Sequence, residues 1–439
     1  MSGIAHILLK RGVKVSGSDT YASRITEELE KSGARVFIGH DAGQVNGSDM
    51  VVYSSAIKED NPEYRRAKET GVTLIKRAQA LAELMEDKTV IAVSGSHGKT
   101  TTSSLASLLL IEAGLKPTIA VGGILKNIGA NAYFGDGDYF VAEADESDGS
   151  FLYYKPTYSI ITNIDREHLD YYGDFDTEVK AFKKFIESTN DNGCVFYCAD
   201  DPVLTRIAND SNKRKVKFGL SNSADIYPDN IKVGQFRSEF DVFYKSQFIE
   251  RFCLSLAGMH NISNALSVIA LGLELEIDIP YIKDTLLKYK GSGRRLEVKL
   301  KNNDLTVVDD YAHHPTEIKA SLEALRGLGV GRILVIFQPH RYTRTKLLLD
   351  DFAKSFTMAD QLVVTDIYPA GELLIEGVSA QLLVERINKF SSSKEAVYLP
   401  KEKIAEYILR IIQPGDLIVT LGAGDITRIS DELAKRITE

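Results

Sequence analysis

The chain has 439 residues, 44% hydrophobic and 26% charged, with 33 Gly and 11 Pro, a make-up that excludes fibrous and disordered chains and predicts two to four domains, with three expected. A net charge of −8 excludes nucleic-acid binding driven by phosphate neutralisation and favours a small ligand. No run approaches the ~20 apolar residues of a membrane span and the opening Met1-Ser2-Gly3-Ile4 lacks a secretory pattern, so no membrane insertion and a cytoplasmic location are expected.

From residue 4 to about residue 85 the pattern alternates. A helix is predicted over 4–10, a strand over 14–16, a helix over 24–32, and strands over 35–38 and 50–53, which is the rhythm of a parallel α/β sheet. Such nucleotide-binding units ordinarily open on a strand and a Gly-rich turn, whereas this chain opens on a helix. Its first domain is therefore expected to be Rossmann-like but incomplete, through a truncated or misassigned start. A second unit begins at Thr89, where the apolar Val90-Ile91-Ala92-Val93 runs into a Gly-containing loop and then a helix over 101–113. Strands are predicted over 139–142 and 158–162, followed by a β-rich stretch over 221–255 and a helix over 261–273. Gly291-Ser292-Gly293 is a hinge before a third α/β unit, with strands near 305–308, 332–337, 361–365 and 416–420. The expected fold class is α/β in three domains: an incomplete Rossmann-like unit over 1–86, a central P-loop-type ATPase unit over 87–292 and a C-terminal Rossmann-like unit over 293–439. Cys194, Cys198 and Cys253 lack the paired spacing of a zinc site and suit a reducing compartment.

The strand, loop and helix around Ser94-Gly95-Ser96-His97-Gly98-Lys99-Thr100 form a phosphate grip, because backbone N–H groups and the helix dipole converge on one anion. Lys99 is placed for the β- and γ-phosphates and Thr100 for a magnesium ion. The common form of this loop has Gly where this chain has Val93. Glu143-Ala144-Asp145-Glu146-Ser147-Asp148 follows a strand and offers the hard oxygens that magnesium takes. His168 sits just beyond the next strand, where a structural role and a functional one are both open. His260, Asn261 and Asn264 open a helix and are candidates to read an adenine edge, and Arg294 and Arg295 place fixed charge after the hinge. In the third unit, Asp309-Asp310-Tyr311-Ala312-His313-His314-Pro315-Thr316-Glu317 and Gln338-Pro339-His340-Arg341-Tyr342-Thr343-Arg344 put polar residues at strand ends, where two arginines can hold a carboxylate.

Together these motifs resemble those of the Mur ligases, over nearly the whole chain. Mur ligases are three-domain cytoplasmic enzymes that add amino acids to a UDP-linked muramyl precursor of peptidoglycan, and Gly-[Ser/Thr]-x-Gly-Lys-Thr-Thr is their phosphate loop, which accounts for Val93. The run 145–151 and the two third-unit loops are similar to those of the branch that joins L-alanine to UDP-N-acetylmuramate. The resemblance implies ATP and Mg2+, or Mn2+ in its place, with Gly95, Ser96, His97, Gly98, Lys99, Thr100 and Thr101 around the phosphates. It implies Thr100 and Glu143 for the first metal, His168 for the second, and His260, Asn261, Asn264, Arg295 and Asp310 around adenosine. Lys99, Glu143, His168, His313, Arg341 and Arg344 are the implied catalytic set. Ser54, Ser55, His340, Arg341 and Arg344 are the implied substrate contacts, with Ser18 and Asp19 as weaker ones. A monomer or homodimer is expected, closing its hinged domains over the nucleotide. Several sister ligases carry a carbamylated lysine about fifteen residues after the metal histidine, where this chain has Lys183, read here as a surface lysine. A tripeptide-recycling ligase, a folate-type polyglutamate ligase and a catalytically idle nucleotide-binding scaffold remain alternatives.

Overall fold

The structure, a computed structural model, describes residues 1–54, 56–234, 236–390 and 395–439. The chain forms two compact units. One comprises Met1–Tyr227, Phe243–Phe248 and Asn264–Leu286, and the other Pro228–Val242, Ile249–Ser263 and Leu287–Glu439.

The first unit opens on the helix Ser2–Lys10, with Ile4 and Ile7 buried. The strands that follow pair in parallel as two separate two-stranded sheets, Ser16–Asp19 with Arg35–Ile38 and Met50–Tyr53 with Thr73–Lys76. The first of these strands lies two to three residues beyond its predicted position, because its register with Arg35–Ile38 outweighs the weak β preference of Gly17. A larger sheet holds the phosphate loop. Its strand Thr89–Ser94 lies between Tyr139–Glu143 and Tyr158–Ile161, with all three parallel. Thr118–Leu125 extends one side and carries the antiparallel Ala130–Tyr133, while Cys194–Cys198 and Lys215–Phe218 extend the other.

Because the neighbours of Thr89–Ser94 come from crossovers on opposite sides, its carboxyl end is a switch point, the place where open α/β sheets bind ligands. The strand is apolar because both its faces are covered. The helix that follows, Lys99–Glu112, is buried at every residue from 100 to 110. It therefore cannot shift without opening the core.

The second unit contains a six-stranded sheet in the order Glu297–Lys301, Leu305–Asp310, Asp416–Leu421, Ile333–Phe337, Gln361–Val364, Ala396–Tyr398, parallel except for its first strand. Alternate residues of these strands feed two cores. Val308, Val335, Phe337 and Val419 point into one, and Val307, Leu334, Ile336 and Ile418 into the other. Helices cover both faces, so the loops at the strands' carboxyl ends are what this unit presents to a ligand.

Candidate active site

Gly95 and Gly98 have φ of +128° and +85°, conformations open to glycine at little cost. Sterics reinforce the requirement. A Cβ on Gly95 would collide with the Thr162 hydroxyl and the Asn163 backbone, and one on Gly98 would lie 2.6 Å from Asn264 Oδ1. The loop is pinned from the neighbouring strand end. His97 N donates to Asn163 Oδ1 at 2.9 Å, Asn163 Nδ2 donates to His97 O at 3.0 Å, and the Thr162 hydroxyl donates to the same carbonyl at 2.5 Å. The His97 ring pairs with Asp165 at 3.0 Å. The helix beginning at Lys99 has no acidic residue in its first turn, so nothing there repels an anion from its N–H groups.

Lys99 Nζ donates to Gly95 O at 2.6 Å, to Ser96 O at 3.1 Å and to Glu146 Oε1 at 2.7 Å. Burial alone would pull its pKa down, but Glu146 and Asp145 more than offset this and hold it above the ordinary lysine range. Thr100 Oγ1 donates to Glu143 Oε1 at 3.1 Å, and Glu143 Oε2 accepts from Gly122 N at 2.8 Å. A Cβ on Gly122 would lie 2.5 Å from the Glu143 carboxylate, so that glycine makes room for it. The predicted pair Thr100 and Glu143 is thus assembled, and its hard oxygen donors fit magnesium.

His168 sits with a different set of acids: its Nε2 lies 3.5 Å from Glu146 Oε1 and 3.6 Å from Glu167 Oε2. Its φ of +56° is strained for a non-glycine residue. Glu146 is fully buried and its Oε2 has no hydrogen-bond partner, as expected of a site that accepts a cation. From the helix Phe175–Glu187, Glu178 adds a fully buried carboxylate without a hydrogen-bond partner, and burial followed by Glu146 and Glu167 pushes its pKa up to about 8. Lys183 on the same helix pairs with Asp210 at 3.1 Å, both side chains well exposed.

In the second unit, Arg294 and Arg295 separate in role. Arg294 is committed to the fold: it donates to Asp309 Oδ2 at 3.0 Å, Gly424 O at 3.0 Å and Gly422 O at 2.5 Å. Arg295 stacks over Tyr311 at 5.1 Å and lies 3.6 Å from Glu317. Asp310 accepts from the N–H groups of Ala312 and Leu296, each at 2.7 Å. Burial raises its pKa to about 6 against the opposing pull of Arg295. Of the adjacent histidines, His314 is buried and caps the helix Pro315–Arg326, while His313 lies 3.0 Å from Tyr311 O and 5.6 Å, ring to ring, from His340. His340 stacks on Tyr368 at 5.6 Å with 9° between the planes, and Arg344 Nη1 lies 3.2 Å from His340 Nδ1. Burial, then His313 and the flanking arginines, lower the His340 pKa to about 3. His260 is lowered to about 4 by burial and Arg295. Both imidazoles are neutral at pH 7.

Arg341 has φ +69° and heads the short helix Tyr342–Leu347. Asn261 is buried and donates to Ala257 O at 2.7 Å. Ser54 follows the strand Met50–Tyr53, and its carbonyl accepts from Ile57 N at 3.0 Å; Ser55 lies outside the described residues. Ser18 Oγ donates to Glu63 Oε1 at 2.6 Å, an oxygen also 2.8 Å from His40 Nδ1. Sequence reasoning did not single out Glu146 within its acidic run, nor Asn163, Tyr311, Tyr368 and His40. Their positions just after strands are the signal that marks them.

A glycine-dependent phosphate loop at a switch point, two acid clusters at neighbouring strand ends and a basic, histidine-lined edge on a second sheet are features of one class of nucleotide-using enzyme. The chain matches the Mur ligase family catalytic domain over residues 1–89, the Mur ligase middle domain over 93–272 and the Mur ligase glutamate ligase domain over 294–424; it belongs to the Mur ligase family. It is 44% identical to the UDP-N-acetylmuramate–L-alanine ligase of Syntrophus aciditrophicus, with 100% of this chain and 92% of that protein covered. It is 45% identical to the ligase of the same name from Desulforamulus reducens, covering 100% and 96%. Among solved structures it superposes on UDP-N-acetylmuramate-alanine ligase from Thermotoga maritima with a TM-score of 0.84 at 28% identity, covering 100% of this chain and 96% of that one. A murein peptide ligase from Psychrobacter arcticus gives 0.70 at 25% identity, covering 99% and 96%. Among the described residues, no helix is long and apolar enough to cross a membrane.

Proposed function

We infer that this chain is an ATP-dependent ligase that joins L-alanine to the carboxylate of UDP-N-acetylmuramate, releasing ADP and phosphate, in the cytoplasmic assembly of peptidoglycan precursors. The observation that carries this reading is the full-length 43–45% identity to curated alanine ligases, with a structural match of 0.84 against 0.70 for the murein peptide ligase. The working domains in this reading are 1–86, 87–292 and 293–439.

In the proposed mechanism the N–H groups of the 95–101 loop hold the ATP phosphates, and Lys99 leaves Glu146 to neutralise charge that builds on the transferring phosphoryl group. Thr100 and Glu143 would hold one magnesium ion and His168 a second, and the metal would supply further positive charge to the transferring phosphoryl group. The muramyl carboxylate oxygen forms a bond to the γ-phosphorus as the bond to ADP breaks, giving an acyl phosphate. The neutral amine of L-alanine then attacks the acyl carbon, phosphate leaves with the bonding pair, and the nitrogen gives up a proton. His313, Arg341, Arg344 and neutral His340 are assigned to the muramyl carboxylate and the incoming alanine. His260, Asn261, Asn264, Arg295 and Asp310 are assigned to adenosine, and Ser54 to the UDP moiety.

The test is ADP release in the presence of UDP-N-acetylmuramate across a panel of L-alanine, glycine, L-serine and the intact tripeptide. The reading predicts the highest kcat/KM for L-alanine. A preference for the tripeptide would transfer the chain to the recycling branch.

A further inference from the structure

One hydrogen bond of His340 can run in only one direction. Arg344 Nη1 lies 3.2 Å from His340 Nδ1, and a guanidinium donates but never accepts. Nδ1 therefore holds a lone pair, the ring is neutral, and its one proton sits on Nε2. Burial, then His313 and the arginines Arg344, Arg341 and Arg294, act in the same sense by disfavouring a second proton. His340 is thus a donor at Nε2, while its acceptor lone pair is spent on Arg344. A general base needs a lone pair within reach of the proton it takes, so His340 is not the group that deprotonates the incoming amine.

The ring is also fixed in place. It stacks on Tyr368 at 5.6 Å with 9° between the planes, and the backbones of the two residues form a parallel β-bridge. Tyr368 is itself wedged. A Cβ on Gly424 would lie 2.6 Å from Tyr368 Cγ, Tyr368 N donates to Pro339 O at 2.8 Å, and Tyr368 O accepts from Arg341 N at 2.8 Å. The His313 ring meets His340 at 5.6 Å with 66° between the planes. A neutral imidazole can polarise a carbonyl, and a donor that need not reorient as charge develops stabilises that charge best. The arginines beside it make the surroundings favourable to an oxyanion.

We propose that His340, in the Nε2–H tautomer that Arg344 fixes, donates to the oxyanion that forms when alanine attacks the acyl phosphate. The lone pair of the alanine nitrogen forms the carbon–nitrogen bond as the carbonyl π pair moves onto oxygen. His340 Nε2–H hydrogen-bonds to that oxygen and keeps its proton. The pair then returns, the bond from carbon to the phosphate oxygen breaks, phosphate leaves with the bonding pair, and the proton lost by nitrogen passes to the phosphate. Arg344 acts on this step through His340, as a positioning residue. The inference rests on the ligase reading made under Proposed function.

The experiment reads the tautomer first, by 15N NMR of the full chain labelled at histidine, with the His340 signals identified by their loss in His340→Gln. The expected result at pH 7 is a proton on Nε2 and none on Nδ1 in the wild type, and a mixture of tautomers in Arg344→Met. Kinetics of the folded variants, verified by circular dichroism, supply the second readout. His340→Ala is expected to lower kcat by on the order of 10²-fold with both substrate KM values little changed, because the oxyanion exists only beyond the ground state. His340→Gln places an amide N–H where Nε2–H stood and should recover about tenfold of that loss, whereas His340→Asn reaches only the place of Nδ1 and should recover none. A proton on Nδ1 in the wild type overturns the inference, as do equal kcat values for the three His340 variants, or a loss that falls on KM with kcat intact. A wild type that forms no alanyl product overturns the ligase reading and the oxyanion role with it. The wrong tautomer in a wild type that does form that product overturns this inference alone.

Discussion

Lys99 is held by two loop carbonyls and Glu146, and Glu146 and Asp145 keep its ammonium charged despite burial. Lys99→Ala is expected to lower kcat by on the order of 10²–10³-fold, since it removes a preorganised charge from the transferring group; steady-state ADP release checks this. Unchanged turnover would remove Lys99 from the mechanism. Two histidines make a separate prediction about pH. His260 and His340 have folded pKa values of about 4 and about 3, below the ordinary histidine value of about 6.5. Between those values the unfolded chain binds more protons than the folded one. The stability they contribute is therefore present above about pH 6.5 and lost as pH falls toward 4 for His260 and 3 for His340, with a slope of up to ~1.4 kcal/mol per pH unit for each. Denaturant titrations at pH 7 and pH 5 should show the loss, and His260→Gln should flatten it. At this scale what is local was legible: the loop residue Thr100 and Glu143, named from separate motifs, lie in contact. It could not separate Arg294 from Arg295, or His313 from His314, because which of two adjacent side chains is spent on the fold depends on distant partners, Gly422 and Gly424 in the first case and the helix cap in the second.

The phosphate loop shows how an element enforces its own sequence. Gly95 combines a positive φ with a place that a Cβ cannot share with Thr162, so Gly95→Ala is expected to destabilise the first unit by about 1–3 kcal/mol and to abolish retention on immobilised ATP. Normal retention with a wild-type melting curve would contradict the steric account. The 340–344 loop is held by a second loop: Arg341 N donates to Tyr368 O at 2.8 Å, Tyr368 N to Pro339 O at 2.8 Å, and Thr343 N and Oγ1 to Glu372 at 3.1 and 2.5 Å. Glu372→Ala should lower kcat/KM for UDP-N-acetylmuramate about tenfold by loosening Arg341 and Arg344, a loss of ~1.4 kcal/mol of transition-state binding. An unchanged value would show that the buttress is dispensable. The strands at 35–38 and 50–53 were legible because apolar runs mark them. The hairpin of Thr118–Leu125 and Ala130–Tyr133 was not, because Gly122 and Gly123 break its pattern, and Gly122 is there to admit Glu143. A functional requirement there overrides local strand preference.

For the whole molecule, the sequence conveyed an α/β chain with a phosphate loop in its first third and basic loops in its last third. Burial of Glu146 and Glu178 was illegible: the sequence offered the 143–148 run to magnesium without saying which acid is buried, Glu178 was not singled out, and only the packed core makes either carboxylate costly. The central claim is that these parts together make an amide bond at the expense of ATP. It is tested most directly by incubating the chain with Mg-ATP, UDP-N-acetylmuramate and L-alanine and following ADP and the nucleotide-sugar product by mass spectrometry. The account predicts UDP-N-acetylmuramoyl-L-alanine formed one for one with ADP, and neither product in quantity when UDP-N-acetylmuramate or L-alanine is left out. ADP released at the same rate without L-alanine, and with no alanyl product, would contradict it.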